Sequence, residues 1–306
     1  MPTRPVTAPL LSDQARATLI GRFGSQVSAW CDELPRLVAA ITADWRLRVR
    51  RVLPAGGTSV VLLCHTDDDD PVVLKLTPDP EIAAAEQTAL DAWCDSPYVV
   101  ALLDADIDRG ALLLEALHPG ASLHDEPAAW SLPDIAPLLT NLWSPRPTGI
   151  TGWPDLRERV EFIFDLTERR IELQRAATED LPRQVIDDSR AYALTLACDG
   201  PITLLHGDLH LGNVLRDRRG LVAIDPRPCI GDRNFDAVDW ALAGATSRDD
   251  IDRNIDTLAH HVPALDPMRT SAWCQAIAAV IATSILARDP HDRRGQFLAR
   301  LAADTA

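Results

Sequence analysis

A short polar run near residue 210 contains the residue types that phosphoryl transfer requires. Asp208 lies five residues before Asn213, and Asp225 follows Asn213 by twelve. One carboxylate can take the proton of an attacking hydroxyl, while an Asn and an Asp can hold Mg²⁺ on the phosphates. The order of an Asp, four residues, an Asn and then an Asp at a strand end is typical of a kinase catalytic loop. The spacing therefore favours phosphoryl transfer.

Two other interpretations of this run stay open. Loop Asp and Asn residues are commonly turn formers whose side chains cap nearby backbone groups. The run could also be a zinc or iron site of a metal hydrolase, with His206, Asp208 and His210 as ligands. No other histidine falls in a recognisable ligand spacing, which makes the metal site the poorer hypothesis. These other histidines are His65, His118, His124, His260, His261 and His291.

Apolar segments beside the run indicate how the chain would position it. Residues 214–215 and 221–224 are apolar and flank an Asp-Arg-Arg-Gly turn, a pattern that predicts a β-hairpin. This hairpin would hold Asn213 at the entrance of one strand and Asp225 at the exit of the other. The two side chains should therefore lie close together.

Lys75 is the single lysine among the 30 basic residues of the chain. In a chain so biased toward arginine, a lone lysine suggests a site that needs a compact ammonium, although chance survival is the alternative. In the helix predicted over residues 79–94, Glu86 lies on the apolar face. A carboxylate there is costly unless it is paired, so we predict a Lys75–Glu86 ion pair that orients the lysine toward nucleotide phosphates. Glu81 is the runner-up, and a surface salt bridge is the alternative for either glutamate.

A glycine-containing turn precedes the strand that leads to Lys75. Backbone N–H groups of this turn could approach phosphates closely, because glycine has no Cβ to block them. The turn lacks a full G-x-G-x-x-G pattern, so a plain hairpin is the alternative. The residues concerned are Gly56, Gly57, Thr58 and Ser59.

Alternation of apolar residues predicts the sheet of a small N-terminal lobe. Strands are expected at 46–53, 60–64, 72–76, 98–103 and 111–117, which together would form a five-stranded antiparallel sheet. Backbone groups near Glu115 and Leu117, at the end of the last strand, would meet adenine.

The fold class predicted for the whole chain is α+β, a two-lobed protein-kinase-like fold. Residues 1–45 form an N-terminal helical segment, with a helix over 11–44. Residues 46–117 form the nucleotide-binding lobe, with one helix beside the sheet. Residues 118–306 form a larger, mainly helical catalytic and substrate-binding lobe. Its helices are expected at 133–143, 154–177, 182–198, 235–245, 249–261 and 267–305.

Composition and charge disfavour several classes of partner. A net charge of −15 disfavours nucleic acid and anionic membranes, and is compatible with a cationic small substrate. No apolar run approaches the length of a membrane span, and the start of the chain lacks the apolar region of a signal peptide. Six scattered cysteines without CxxC pairs are typical of reduced core residues, so a cytoplasmic location is expected. Oligomeric state is not determined by these patterns.

Taken together, these residues make the chain resemble the aminoglycoside phosphotransferase group of kinase-like enzymes. Within this group it is most similar to the streptomycin 6-phosphotransferase and hydroxyurea-type resistance kinases. The resemblance covers nearly the whole chain and is most specific over Leu205-His206-Gly207-Asp208 to Asn213 and Ala223-Ile224-Asp225-Pro226. It implies ATP and Mg²⁺ as cofactors.

Roles for individual residues follow from the resemblance. Asp208 would be the catalytic base, Asn213 and Asp225 the Mg²⁺ ligands, and Lys75 the phosphate-binding lysine. Three further residues would support the loop: Asp236 would hold it in place, His206 would orient it, with a proton carrier as the alternative role, and His210 would face substrate or pack.

Departures from the protein-kinase pattern restrict the class of acceptor molecule that we predict. Asp225 is followed by Pro226 and Arg227 rather than Phe-Gly, and only ten residues separate Asp225 from Asp236. This length is too short for an activation loop and a peptide-binding platform, which argues against a protein substrate. The prediction is an ATP-dependent kinase of a hydroxyl on a small, polar, cationic molecule, with an aminoglycoside such as streptomycin leading. Alternatives are a kinase of an amino sugar, a peptide antibiotic or hydroxyurea, and a non-catalytic nucleotide-binding module.

Overall fold

The computed structural model describes residues 10–54, 57–126, 130–144, 152–173 and 181–304. By its internal contacts the chain forms two compact units. Unit 1 is Met1–Asp95 with Val99–Gly120, and unit 2 is Ser96–Tyr98 with Ala121–Ala306. The N-terminal helices, which were predicted as a segment of their own, belong to unit 1.

Unit 1 is built on the predicted five-stranded antiparallel sheet, which is confirmed. The strand order is β1-β2-β3-β5-β4, and every neighbouring pair is antiparallel. Residues of β2 alternate between buried and partly exposed, as a sheet covered on one face requires. The strands are β1 Arg48–Leu53, β2 Val60–His65, β3 Pro71–Leu76, β4 Leu102–Asp106 and β5 Ala111–Glu115.

Helix α3, Pro80–Ala92, follows β3 and is capped at its N-terminus by Asp79, whose side chain accepts a hydrogen bond from the Glu81 amide. A single 3₁₀ turn, Ile107–Arg109, connects β4 to β5. The strand predicted over 98–103 is wrong in its start, because β4 begins only at Leu102. Instead, the Tyr98 carbonyl accepts a hydrogen bond from the amide of Ala223, so this segment is part of unit 2.

The single helix predicted over 11–44 is also wrong, because Gly24 divides it. Gly24 has φ +85°, a left-handed conformation that glycine adopts without strain, and its amide closes the first helix on the Ile20 carbonyl. The result is α1, Asp13–Phe23, and α2, Val27–Asp44. Buried residues of both helices share one core cluster with buried residues of β2 and β3.

Unit 2 is mainly helical, as predicted. Its helices are α4 Leu132–Leu142, α5 Leu156–Leu173, α6 Arg183–Ala197, α7 Val238–Ala241, α8 Arg248–His261, α9 Pro267–Leu286 and α10 Arg293–Ala303. Two 3₁₀ turns, Leu211–Asn213 and Arg233–Ala237, complete the helical part. None of the helices in the described ranges has the length and apolar character needed to cross a membrane.

Two predicted helices of unit 2 differ in the structure. The helix expected over 267–305 is two helices, because Pro290 cannot continue α9 and Asp292 starts α10 by accepting a hydrogen bond from the Gly295 amide. The helix expected over 235–245 is shortened to α7, since the preceding Arg233–Ala237 segment is a 3₁₀ turn.

Two small sheets accompany the helices of unit 2. The first pairs β7, Thr203–Leu205, antiparallel with β10, Cys229–Gly231. The second has the order β6-β8-β9. Its strands are β6 Pro119–Ser122, where the chain passes from unit 1 to unit 2, β8 Val214–Asp217 and β9 Gly220–Ala223.

Candidate active site

The hairpin predicted after residue 213 is present in unit 2 and is confirmed. Strands β8 and β9 pair in register from Val214 opposite Ala223 to Asp217 opposite Gly220. Just before this ladder, the Asn213 carbonyl accepts a hydrogen bond of 2.9 Å from the Ile224 amide. Asn213 therefore lies directly across from the residue that precedes Asp225.

Asp208 and Asn213 are joined within the loop that enters the hairpin. The Asn213 side-chain Nδ2 donates to the Asp208 carbonyl at 3.0 Å and lies 3.4 Å from the carboxylate Oδ2. His210 shapes the turn between them, because its Nδ1 accepts a hydrogen bond from the Gly212 amide at 3.0 Å. Asp208, Asn213 and Asp225 are thus brought to one end of the hairpin, while the His210 ring accepts a hydrogen bond from the backbone within the turn itself.

Asp236 lies beneath the loop. Its two carboxylate oxygens accept hydrogen bonds from the successive amides of His206 and Gly207, each at 2.9 Å. Burial raises the pKa of Asp236 to about 6, although the two amide donors act in the opposite direction. This contact is the loop support that the sequence led us to expect of Asp236.

Gly207 is needed for two separate reasons. Its φ of +74° lies in the left-handed region, and a Cβ at this position would lie 2.1 Å from the Arg227 carbonyl oxygen. The Arg227 amide in turn donates to the His206 carbonyl at 2.8 Å, which fastens the loop to the segment after Asp225. Only glycine allows both backbones to approach so closely.

His206 is fully buried, and backbone groups engage both of its ring nitrogens. Nε2 lies 3.0 Å from the Ile224 carbonyl and Nδ1 lies 3.4 Å from the Asp208 amide, so Nε2 donates and Nδ1 accepts. Burial lowers the pKa of His206 to about 4. The neutral ring links the loop to the exit of the hairpin, which disfavours the metal-hydrolase hypothesis. Within the described ranges, no group of three or more His, Cys, Asp or Glu side chains could hold a metal ion.

Asp225 adopts a left-handed backbone conformation with φ 57°, uncommon for a residue other than glycine. Its side chain is partly exposed, and Oδ1 lies 3.3 Å from an Nη2 of Arg227. This conformation turns the chain sharply after β9. Strained backbone of this kind is often found at functional sites.

Two functional candidates escaped the sequence analysis, and Arg159 is the first. From α5, Arg159 places Nη2 2.8 Å from Asp208 Oδ1 and Nε 2.8 Å from the Gly207 carbonyl. No local signal marks this residue, since nearly every basic residue of the chain is an arginine. Its role is visible only once α5 is packed against the loop.

Asp239, in α7, is the second candidate. Its carboxylate forms no hydrogen bond or ion pair with any of the described residues, yet it lies within electrostatic range of His210, Asp208 and Arg294. Burial raises the pKa of Asp239, the nearby Asp208 charge adds to this effect, and His210 and Arg294 oppose it. Its position three residues after Asp236 was the only available signal.

Unit 1 contains the predicted Lys75–Glu86 ion pair. Lys75 Nζ lies 2.7 Å from Oε1 and 2.5 Å from Oε2 of Glu86. The exposed fractions of the side chains are 7% and 1%, so the pair is buried rather than a surface salt bridge. Glu81, the alternative partner, is exposed in the first turn of α3. The helical-face argument therefore selected the correct glutamate.

The proposed phosphate-binding turn is described only in part. Gly56 lies outside the described residues. Gly57 lies beside α1, where a Cβ would come within 3.2 Å of Thr18 Cγ2, and Thr58 and Ser59 are buried just before β2. Binding of phosphate by these backbone groups stays a prediction.

The predicted adenine-contacting segment follows β5. The Glu115 amide and carboxylate both contact residue 101, the amide donating to the Ala101 carbonyl at 3.0 Å and Oε1 accepting from the Ala101 amide at 2.8 Å. The Glu115 side chain therefore contacts the backbone of Ala101 within unit 1. The roles of the Glu115 and Leu117 backbone groups stay predictions.

Comparison with known families identifies the group to which this site belongs. The model of the family described as aminoglycoside/hydroxyurea antibiotic resistance kinase matches residues 44–288, which include the sheet of unit 1 and the loop and hairpin of unit 2. The chain belongs to this family. It is a small-molecule kinase, as the resemblance implied.

Relatives in this kinase family are similar over most of their length. A streptomycin 6-kinase of Streptomyces glaucescens is 32% identical over 279 residues, covering 88% of this chain and 86% of the relative. A hydroxyurea phosphotransferase of Kitasatospora aureofaciens is 33% identical, covering 82% and 73% of the two chains.

Solved structures show that the kinase fold extends beyond the family. Choline kinase LicA from Streptococcus pneumoniae aligns with a TM-score of 0.61 at 14% identity, over 89% of this chain and 98% of that one. Aminoglycoside phosphotransferase APH(4)-Ia, in a ternary complex with ADP and hygromycin B, aligns with a TM-score of 0.55 at 14% identity, over 88% and 98%. These structures confirm the protein-kinase-like α+β fold.

Proposed function

We propose that this protein is an ATP-dependent phosphotransferase that transfers the γ-phosphoryl group to a hydroxyl of a small cationic acceptor, an aminoglycoside such as streptomycin. Asp208 accepts or orients the proton of the attacking hydroxyl. Asn213 and Asp225 hold Mg²⁺, and Lys75 neutralises charge on the nucleotide phosphates.

One observation carries the proposal for unit 2. Asn213 contacts Asp208 through its side chain and the residue before Asp225 through its backbone carbonyl. The carboxylate that would take the hydroxyl proton is therefore in contact with one proposed metal ligand, and the other, Asp225, directly follows the residue that pairs with Asn213. Ordinary turn formation does not require this arrangement of positions that lie five and twelve residues apart.

The residues that would hold Mg²⁺ suit this ion. Asn213 uses Nδ2 as a donor to Asp208, which leaves the amide oxygen as its ligand atom, and Asp225 contributes a carboxylate. Mg²⁺ prefers such hard oxygen ligands and is commonly held by one or two side chains together with substrate phosphates. When bound, the ion would neutralise the negative charge that develops on the phosphoryl group during transfer.

The buried pair in unit 1 supports nucleotide binding. An ammonium group in a dry site costs free energy unless it is paired, and Glu86 supplies that pairing while fixing the direction of the Lys75 side chain. In kinases such a pair orients the lysine toward the phosphates. LicA has been solved in complex with AMP, and APH(4)-Ia with ADP, which supports a nucleotide as the donor in this fold.

Charge supports a cationic acceptor. Asp239 is a partly buried carboxylate that forms no hydrogen bond or ion pair with the described residues, it lies in the electrostatic neighbourhood of Asp208, and the chain carries a net charge of −15. An ammonium or guanidinium group of the acceptor would supply the partner that Asp239 lacks. The streptomycin 6-kinase relatives favour such an acceptor. The hydroxyurea phosphotransferase relative supports a neutral acceptor as the second candidate.

We also propose a cytoplasmic location, which the six free cysteines support.

The test combines one variant with an acceptor panel. Coupled ADP release is measured with streptomycin, other aminoglycosides, amino sugars and hydroxyurea, on the wild-type enzyme and on Asp208→Asn. We expect turnover with an aminoglycoside that Asp208→Asn abolishes, while ATP binding measured by calorimetry stays unchanged. Turnover only with hydroxyurea would replace the cationic acceptor by the neutral one. Substantial turnover by Asp208→Asn would refute the proton-accepting role.

A further inference from the structure

The contact between Arg159 and Asp208 distinguishes the two oxygens of the catalytic carboxylate. Oδ1 lies 2.8 Å from Arg159 Nη2, whereas Oδ2 is turned toward Asn213, 3.4 Å from its Nδ2. The Arg159 side chain is only 12% exposed, while that of Asp208 is 35% exposed. The guanidinium group therefore belongs to a side chain that is more buried than the carboxylate it contacts.

Arg159 also holds the backbone beneath the carboxylate. Its Nε donates to the Gly207 carbonyl at 2.8 Å, so one planar group binds the side chain of Asp208 and the peptide that precedes it. A planar guanidinium with several N–H donors suits two simultaneous contacts, and the single ammonium of lysine suits them less well. The rotamer of Asp208 is thus fixed relative to its own backbone.

The base of α5 is itself anchored to the strands around the loop. Asp155, which accepts from the Arg159 amide, forms a β-bridge with Ile230 of β10. The Ile230 amide also donates to the Pro154 carbonyl at 2.9 Å, and β10 pairs with β7, the strand that leads into the loop. The Arg159 guanidinium lies over the ring of Phe162, 5.5 Å from its centroid. Arg159 therefore projects from a helix whose first residues are attached to β10 by backbone contacts.

We propose that Arg159 is a positioning residue for phosphoryl transfer, which occupies Oδ1 of Asp208 and so presents Oδ2 to the acceptor hydroxyl. This inference rests on the proposed role of Asp208. With Oδ1 engaged by a cation, Oδ2 is the oxygen that remains for the hydroxyl, and it lies on the side of Asn213, a proposed metal ligand. The acceptor hydroxyl would then bind to one defined oxygen of Asp208, on the side of the proposed metal ligand Asn213, rather than to either oxygen at random.

A positioning role predicts a loss in turnover rather than in binding. Misplacement of a reacting group by about 1 Å can cost about 10²-fold in rate. We expect Arg159→Ala to lower kcat by about 10²-fold while KM for ATP and acceptor stays within about twofold. Arg159→Lys, which keeps the charge but loses the planar group, should remain well below the wild-type kcat.

A matched control separates positioning from support of α5. Arg190, on α6, forms ion pairs with Asp165 and Glu168 of α5 at 2.8 and 3.4 Å, and none of these residues contacts Asp208. Arg190→Ala removes an anchor of the same helix and should keep the wild-type kcat. Added guanidinium ion at millimolar concentration should restore part of the kcat of Arg159→Ala and leave Arg190→Ala unchanged.

The outcomes distinguish the two proposals. If Asp208→Asn abolishes turnover but Arg159→Ala and Arg159→Lys keep kcat within about twofold of wild type, the positioning role is wrong and the role of Asp208 stands. An equal loss in Arg190→Ala, or a loss in Arg159→Ala that guanidinium does not restore, also overturns the positioning role. Full turnover by Asp208→Asn overturns the proposed role of Asp208 itself.

Discussion

Removing the carboxylate of Glu86 should destabilise unit 1 far more than removing an exposed carboxylate. Glu86→Gln keeps the size of the side chain but leaves the Lys75 ammonium without its counter-ion in a site where the two side chains are 7% and 1% exposed. Breaking a buried ion pair by removing one partner costs about 3–5 kcal/mol, because the remaining charge stays desolvated. We expect a loss of this size in the free energy of unfolding of unit 1.

Unit 1 also contains an exposed ion pair that serves as a control for the buried one. Glu33 pairs with Arg36 on α2 at 3.2 Å, and the side chains of this pair are 63% and 84% exposed. Exposed pairs contribute about 0–1 kcal/mol, so Glu33→Gln should change stability very little. Hydrogen exchange of the β2 and β3 amides is the appropriate assay, because it reports the opening of unit 1 itself rather than of the whole chain.

A double variant tests whether the cost arises from the pairing. Lys75→Met with Glu86→Leu replaces the buried ions by apolar side chains of similar size, which should recover most of the stability that Glu86→Gln loses. Phosphate transfer should be absent from the double variant, since no ammonium is left for the nucleotide. If Glu86→Gln lowers the unfolding free energy of unit 1 no more than Glu33→Gln does, the argument that the Lys75 charge needs Glu86 in a desolvated site is refuted.

Two further predictions concern the catalytic loop. Gly207→Ala should lower kcat strongly, because a left-handed alanine costs about 1–2 kcal/mol and its Cβ would displace the Arg227 carbonyl; unchanged turnover, with the fold checked by circular dichroism, would contradict this. Burial lowers the pKa of His206 from 6.5 to about 4, so its contribution to stability is present above pH 6.5 and is lost as the pH falls toward 4. Between pH 7 and pH 5 the advantage of wild type over His206→Gln in unfolding free energy should shrink by about 2 kcal/mol, whereas a constant difference would show that His206 does not titrate as proposed. The pKa of Asp236 is raised to about 6, so the contribution of Asp236 to the unfolding free energy is lost as the pH rises. This contribution is present in wild type and in His206→Gln, so it cancels in the difference between them.

Much of the site is encoded locally, which is why it could be predicted from the sequence. Asp208, Asn213 and Asp225 lie within one short loop and hairpin, so spacing and turn chemistry suffice to bring them together. The Lys75–Glu86 pair is similarly local, since β3 leads directly into α3 and the apolar face of α3 selects the inward-facing glutamate. The family resemblance added the supporting role of Asp236.

Element boundaries were less predictable, for a related reason. Apolar periodicity continues through Gly24 and past Pro290, whereas a left-handed glycine and a proline each interrupt the helical hydrogen bonds at these points. The start of β4 was misjudged because Tyr98 pairs with Ala223, a residue far along the chain. Pairing of that kind leaves no periodic signal near residue 98.

Residue types and their spacing along the chain predicted the chemistry: a kinase-type loop, a lone lysine with a buried partner, and a segment after Asp225 whose short length argues against a peptide substrate. The contact between Arg159 and Asp208, on which our proposal for the acceptor-facing oxygen rests, is visible only in the folded chain. Arg159 reaches Asp208 from 49 residues upstream, through the packing of α5 against β10, and one arginine among many carries no mark of that contact in its own neighbourhood. Local spacing encodes groups that share a turn, whereas the orientation of those groups depends on elements that meet only when the chain is folded.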